Sequence, residues 1–199
     1  MNSSKYKFLT VMSAALILAA CSTVAPRMGD WREQGSVEDF NADGRMAVKM
    51  NDKGSYANFD WTYQNGVQTI DVNTPLGSTV GQLCQDSRGV LAVNSNGEVF
   101  EAGSAQELSE RLLGYALPVQ YLNVWSQGQW VKGVPHQIDP QGRLQQFEWT
   151  ISRSLKPDGS PRELLLESSR LTLRLIFDTV QKLPADAAAP QQCAARGGA

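Results

Sequence analysis

Residues 57–73 read Ala57-Asn58-Phe59-Asp60-Trp61-Thr62-Tyr63-Gln64-Asn65-Gly66-Val67-Gln68-Thr69-Ile70-Asp71-Val72-Asn73. Ala57, Phe59, Trp61 and Tyr63 alternate with Asn58, Asp60 and Thr62; Ile70 and Val72 then alternate with Thr69 and Asp71. Period-two alternation marks strands with one apolar and one polar face. Gln64-Asn65-Gly66 stands between the runs, and Asn-Gly is the strongest short hairpin signal because both central residues of the tight turn need positive φ. The stretch is an antiparallel hairpin, and its neighbours continue the pattern. Met46, Val48 and Met50 alternate before it. After it come Val80 to Cys84, a turn at Asp86-Ser87-Arg88-Gly89, the run Val90 to Val93, and a second Asn-Gly at Asn96-Gly97 leading to Val99 and Phe100. Strands joined in sequence by short turns make an antiparallel meander.

Helices flank and interrupt this meander. Asp30 to Phe40 has a weak helical pattern, with Asp30 as cap and Trp31, Val37 and Phe40 on one side. Ser104 and Glu107 form a capping box opening a helix with Ala105, Leu108 and Leu112 on one face, ended by Gly114. Pro118 suits the first turn of a second helix, which carries Tyr121, Leu122, Val124 and Trp125 and stops at Gly128. Strands resume after a turn at Asp139-Pro140-Gln141-Gly142. Phe147, Trp149 and Ile151 alternate; Lys156-Pro157-Asp158-Gly159 turns the chain; Leu164 and Leu166 pair with Leu171, Leu173, Leu175 and Phe177 around Ser168-Ser169. The expected fold is mainly β with α, one domain over residues 30–182. Residues 183–199, rich in Ala, Pro, Gln and Gly, are expected to be a disordered tail.

The N-terminus assigns a compartment. Lys5 and Lys7 precede an apolar run from Phe8 to Ala20, too short for the roughly twenty residues a spanning helix needs, and laid out like a secretory signal peptide. Leu18-Ala19-Ala20-Cys21 resembles a bacterial lipobox, so residues 1–20 are expected to be cleaved, Cys21 to be lipidated, and residues 21–29 to act as a tether. Ser22 rather than Asp after the Cys implies export to the outer membrane. Loss of Lys5 and Lys7 leaves 16 basic against 20 acidic residues, a net charge of −4. With no run of Lys or Arg, neither nucleic acid nor electrostatic attachment to anionic lipid is expected.

Catalytic signatures do not emerge. His136 is the one histidine, so multi-His metal sites are excluded, and no nucleophile elbow, phosphate loop or Cys-x-x-Cys occurs. Cys84 reads as a buried thiol. The periplasm permits it to pair with Cys193, but Cys193 lies in the tail expected to be disordered. No catalytic residue, metal or cofactor is therefore assigned. The chain does carry an excess of large apolar residues in Phe59, Trp61, Tyr63, Trp125, Phe147 and Trp149. These fit either an ordinary aromatic core or a curved sheet around an apolar cavity of ligand size. The loop Asn73-Thr74-Pro75-Leu76-Gly77-Ser78-Thr79 poses a second choice. Pro75 and Gly77 explain a turn, whereas Leu76 is either a plain exposed residue or an apolar finger for a membrane.

Taken in order, Cys21, Trp31-Arg32, Gly44-Arg45, Phe59-x-Trp61, Pro75-Leu76-Gly77-Ser78, the capped helix ending near Gly114, Leu117-Pro118 with Trp125 and Gly128, and the run Leu171 to Asp178 resemble the outer-membrane lipoprotein receptor family LolB. The resemblance covers most of residues 30–180. It implies an incomplete, unclosed antiparallel β-barrel of about ten or eleven strands, with helices closing one side over an apolar cavity. It also implies a non-enzymatic role: a monomer, lipid-anchored in the outer membrane of a Gram-negative bacterium and facing the periplasm. Such a receptor takes acylated lipoproteins from the periplasmic carrier LolA and inserts them into the inner leaflet. On this reading Pro75, Leu76 and Gly77 form the membrane-insertion loop. Met46, Val48, Phe59, Trp61, Tyr63, Ile70, Val72, Leu112 and Trp125 line the acyl-chain cavity. The competing reading is a scaffold lipoprotein of the envelope, or a carrier of another apolar ligand, with no transfer activity.

Overall fold

A computed structural model describes residues 27–51, 53–113, 116–186 and 188–197; the signal peptide, Cys21, the first part of the tether and Gly114 lie outside them. In chain order the strands are β1 (Arg27–Met28), β2 (Arg32–Glu33), β3 (Phe40–Met50), β4 (Lys53–Gln64), β5 (Val67–Asn73), β6 (Thr79–Asp86), β7 (Gly89–Asn94), β8 (Val99–Ala102), β9 (Gln129–Trp130), β10 (His136–Ile138), β11 (Leu144–Gln146), β12 (Trp149–Leu155), β13 (Pro161–Glu167) and β14 (Leu171–Lys182). Between β8 and β9 lie α1 (Ala105–Leu113), a 3-10 turn (Val119–Tyr121) and α2 (Leu122–Ser126).

One antiparallel sheet carries the fold. Its order is β10-β11-β12-β13-β14-β3-β4-β5-β6-β7-β8, and the edge strands β10 and β8 are not paired with each other. This is the expected incomplete barrel, eleven strands along its path. The seam between the two sequence-local meanders is the pair β14–β3, which runs from Leu171 opposite Met50 to Lys182 opposite Phe40 with a bulge at Asp178.

Alternation and register place the apolar side chains on one face. Phe59 stands opposite Gly44 and Val72, Trp61 opposite Ala42 and Ile70, Leu83 opposite Ile70 and Ala92, and Leu164 opposite Leu175. Gly44 must be glycine, because a Cβ there would collide with the Ile176 carbonyl oxygen on β14. The helices cover this face. Ala105, Leu108, Leu122, Val124 and Trp125 join Phe59, Trp61, Leu164, Leu166 and Phe177 in one buried cluster. The Ser104 half of the capping box is present: the Glu107 N–H donates to Ser104 Oγ at 3.2 Å.

Four expectations are corrected. Residues 30–40 form no helix; Gly35 interrupts the pattern, and Arg32–Glu33 instead pair in parallel with Gln129–Trp130 while Trp31 Nε1 donates to the Gly142 carbonyl at 3.0 Å. The tether does not reach residue 29, since Arg27–Met28 pair with β12 and the Gly29 N–H donates to the Arg153 carbonyl. Phe147 is not a strand residue. Gln146 pairs with Trp149, so Phe147 and Glu148 form the two-residue turn, with Phe147 at φ 55° and stacked on Tyr121.

The largest correction is the tail. Cys193 is disulfide-bonded to Cys84, 109 residues away, and buries a small cluster with Val67 and Leu91 on the outer face of β5–β7. Arg196 reaches the buried Asp86 carboxylate at 2.8 Å and also pairs with Glu101. A segment too poor in apolar residues to make a core of its own is held by one covalent bond and one buried ion pair.

Candidate functional site

Two features stand out, and each follows from local sequence. The first is the β5–β6 turn. The Thr74 N–H donates to the Ser78 carbonyl at 2.8 Å, the Gly77 N–H to the Thr74 carbonyl at 2.9 Å, and the Ser78 N–H to Thr74 Oγ1 at 3.1 Å. Gly77 supplies the positive φ, 88°, that closes the loop. Main-chain bonds and the Thr74 hydroxyl define the turn, so the Leu76 side chain takes no part in it. Leu76 is 96% exposed, the most exposed large apolar residue of the described chain. Pro75 and Gly77 flank it, both exposed.

The second feature is the concave face beneath α1 and α2. Of the nine residues assigned to an acyl-chain cavity, Phe59, Trp61, Ile70 and Trp125 are buried in the main cluster, and Met46, Val48 and Tyr63 pack against it half-buried. Val72 is half-buried opposite Phe59. Leu112 differs: at 41% exposed it lies near the C-terminal end of α1, beyond the turns that bury Ala105 and Leu108. The cavity is not an empty one, because Trp61, Trp125, Leu164 and Leu166, each under 2% exposed, fill the part beneath α2. Coverage falls toward the β3–β4 hairpin, where Met46, Val48 and Met50 are half-buried, and across β6–β8, where Leu83, Ala92 and Phe100 continue the row of Trp61 and Ile70 half-buried; all pack on the core. Met50, Leu83, Ala92 and Phe100 were absent from the sequence assignment, although their alternation placed them on the same face.

Polar side chains lock α2 in place, and periodicity gave no sign of them. Gln146 Oε1 accepts from Trp125 Nε1 at 3.0 Å and from the Val131 N–H at 2.9 Å, while its Nε2 donates to the Val131 carbonyl at 2.9 Å. Arg153 Nε donates to the Ser126 carbonyl, the last residue of α2, at 2.7 Å. A cation at a helix C-terminus meets the negative end of its dipole. Burial, and after it the nearby Arg32, lowers the Arg153 pKa to about 10, so it stays charged at neutral pH. Replacing Gln146 by Leu strands three buried backbone and indole groups. Buried orphans cost about 1–3 kcal/mol each, so with partial relaxation Gln146→Leu is expected to destabilise the domain by about 2 kcal/mol. Urea denaturation measures this, and an unchanged midpoint would show that α2 does not depend on the Gln146 contacts.

Among the described residues no cluster of three or more His, Cys, Asp or Glu could hold a metal ion, and no helix is long and apolar enough to cross a membrane. His136 is exposed and stacks on Trp130.

Comparison with known proteins follows the same outline. The sequence profile of the family described as "Outer membrane lipoprotein LolB" matches residues 38–179. The outer-membrane lipoprotein LolB of Neisseria meningitidis is 47% identical over 185 residues, covering 92% of this chain and 95% of that protein. The LolB of Chromobacterium violaceum is 29% identical, covering 86% and 97%. The solved structure of a LolA superfamily protein from Nitrosomonas europaea overlaps 76% of this chain and 90% of its own at 7% identity and a TM-score of 0.41. With the family pattern running from β3 to β14 through both helices, the chain belongs to the LolB family of outer-membrane lipoproteins.

Proposed function

We propose that the domain is a lipid-anchored receptor that takes acylated lipoproteins from the soluble periplasmic carrier, LolA, and releases them into the inner leaflet of the outer membrane. The observation that carries this reading is the concave apolar sheet, filled beneath α2 and half-covered toward the β3–β4 hairpin. An acyl chain of about sixteen carbons gains roughly 12 kcal/mol gross on leaving water, at about 0.8 kcal/mol per methylene. It must therefore stay covered while it crosses an aqueous space. The half-covered end around Met46, Val48 and Val72 admits the chain, and the packed part under α2 gives way to it. No covalent bond is made or broken in the cycle. Direction comes from affinity, rising from carrier to receptor to bilayer, and a ligand shifts an equilibrium only by such differences. Cys21 supplies location through its acyl groups, and Leu76 supplies the contact through which cargo leaves.

The test uses the mature chain, residues 21–199 with Cys21→Ala, which is expected to be soluble because it carries neither the apolar segment 8–20 nor acyl groups. Mixed with carrier loaded with acylated lipoprotein, this variant is expected to co-elute with the cargo. Cargo that stays on the carrier would overturn the receptor reading and favour a scaffold role.

A further inference from the structure

The outer face of the sheet holds a cluster that no run in the sequence announces. Between the β12–β13 turn and the strands β13, β14 and β3 lies a cavity of about 740 Å³. Arg27, Arg45, Lys156, Arg162 and Arg174 line it, against two carboxylates, Glu163 and Asp178. Asp178 is taken by Arg45 at 2.9 Å and Glu163 by Arg174 at 2.9 Å. Lys156 Nζ donates only to the Asp178 main-chain carbonyl, at 2.8 Å, and Arg162 has no carboxylate within ion-pair distance among the described residues. Arg27 touches Asp30 loosely, at 3.8 Å, with both side chains largely exposed. Two positive charges, Lys156 and Arg162, thus have no carboxylate partner among the described residues at one concavity of a chain whose net charge is −2.

Two further observations orient this cavity. Arg27 is six residues from Cys21, so at about 3.5 Å per extended residue it lies within about 20 Å of the anchor. A second groove shares Arg45 and Asp178 with the cavity and runs to Gly77, beside Leu76. In that groove Asp43 accepts from the Thr179 hydroxyl and Asp60 from the Asn73 amide, neutral donors that leave both carboxylates charged, so the unpaired positive charge stands at the opposite, Arg162 end of the first cavity. One outer face therefore carries the anchored N-terminus, the basic cavity and the apolar loop.

From this geometry we propose that the cavity binds the phosphate of a phospholipid headgroup and orients the receptor so that Leu76 meets the bilayer. Guanidinium forks match phosphate oxygens, and cations near an anionic surface gain most within a Debye length of it. The proposal rests on the outer-membrane reading only for the membrane's presence; binding to vesicles without cargo tests it apart from transfer.

The experiment uses the mature chain, residues 21–199 with Cys21→Ala, and flotation on phosphatidylglycerol vesicles, with phosphatidylcholine vesicles and inorganic phosphate as separate arms. Lys156 and Arg162 sit on a turn and a strand start with no ion pair to lose, so K156Q/R162Q is expected to melt like its parent. Its affinity for phosphatidylglycerol vesicles is expected to fall about tenfold or more, since each juxtamembrane cation contributes appreciably. Added salt is expected to weaken the parent's binding and leave the variant's nearly unchanged. Undiminished binding by the variant would overturn the proposal. So would inorganic phosphate displacing the parent from vesicles at equal phosphate concentration, because the cavity would then be a site for the free ion.

Discussion

Leu76→Glu is expected to leave a folded domain that still receives lipoprotein from the carrier but delivers it to membranes at least tenfold more slowly. The fold is indifferent to the change because the turn is closed by the Thr74, Gly77 and Ser78 main-chain bonds, and Leu76 is 96% exposed. Substitution of an exposed loop side chain is usually worth within about 0.5 kcal/mol. Receipt is expected to persist because Leu76 is fully exposed and is no part of the buried apolar face. Delivery is not. Burying a leucine side chain in an apolar medium gains about 1.5–3 kcal/mol, and a carboxylate in its place must be held at the surface or neutralised. Leu76→Ala should therefore fall between the parent and Leu76→Glu. Co-elution of cargo measures receipt, and liposome flotation measures delivery. Equal loss in both, or loss in neither, would sink a separate insertion role.

Removing the tail is expected to have the largest effect on stability. Truncation after Lys182 exposes Val67 and Leu91, frees Cys84 and leaves the Asp86 carboxylate without Arg196. A native disulfide is typically worth about 2–4 kcal/mol. At roughly 2–4 °C per kcal/mol for a domain of this size, the melting temperature should drop by about 5–15 °C. C84A/C193A should account for much of that drop, and reductant should bring the parent close to it. Coincident melting curves of parent and truncation would mean that the tail contributes nothing.

The ion pair adds a pH signature. Burial alone pushes the Asp86 carboxyl up, but Arg196 and the Cys193 and Arg88 N–H groups outweigh it and hold the pKa below the usual carboxylate value. A depressed carboxylate stabilises the fold above its unfolded pKa and loses that contribution as pH falls through the folded one. The tail of reduced protein should therefore hold at neutral pH and loosen below about pH 4. Amide exchange at Cys193 and Arg196 would report it.

Much of this was legible beforehand because it depends on neighbours in sequence. Asn65-Gly66 and Asn96-Gly97 fix their turns locally, the capping box at Ser104 starts α1, and alternation in β3, β4 and β5 chose the apolar face correctly. A strand pair joined by a short turn leaves little freedom in register, so its inner face follows from its pattern. The loop carrying Leu76 was readable for the same reason: its hydrogen bonds close within five residues.

What escaped the sequence depends on partners far away in it. The run Val90-Leu91 is buried on both sides, 0% and 2% exposed. A continuous apolar run implies covered faces, yet only the fold reveals that the cover outside is Cys193, brought back over 109 residues. Gln146 and Arg153 are polar residues that no sequence pattern singled out; the packing of α2 buries them. The five cations of the outer cavity come from β1, β3, the β12–β13 turn, β13 and β14, so no window of sequence contains the cluster. Local chemistry chose the strands, turns and apolar face. The pairing of β14 with β3, which curls the sheet and gathers these distant side chains, was decided by tertiary structure, because register between strands more than a hundred residues apart is set by packing and not by any turn between them.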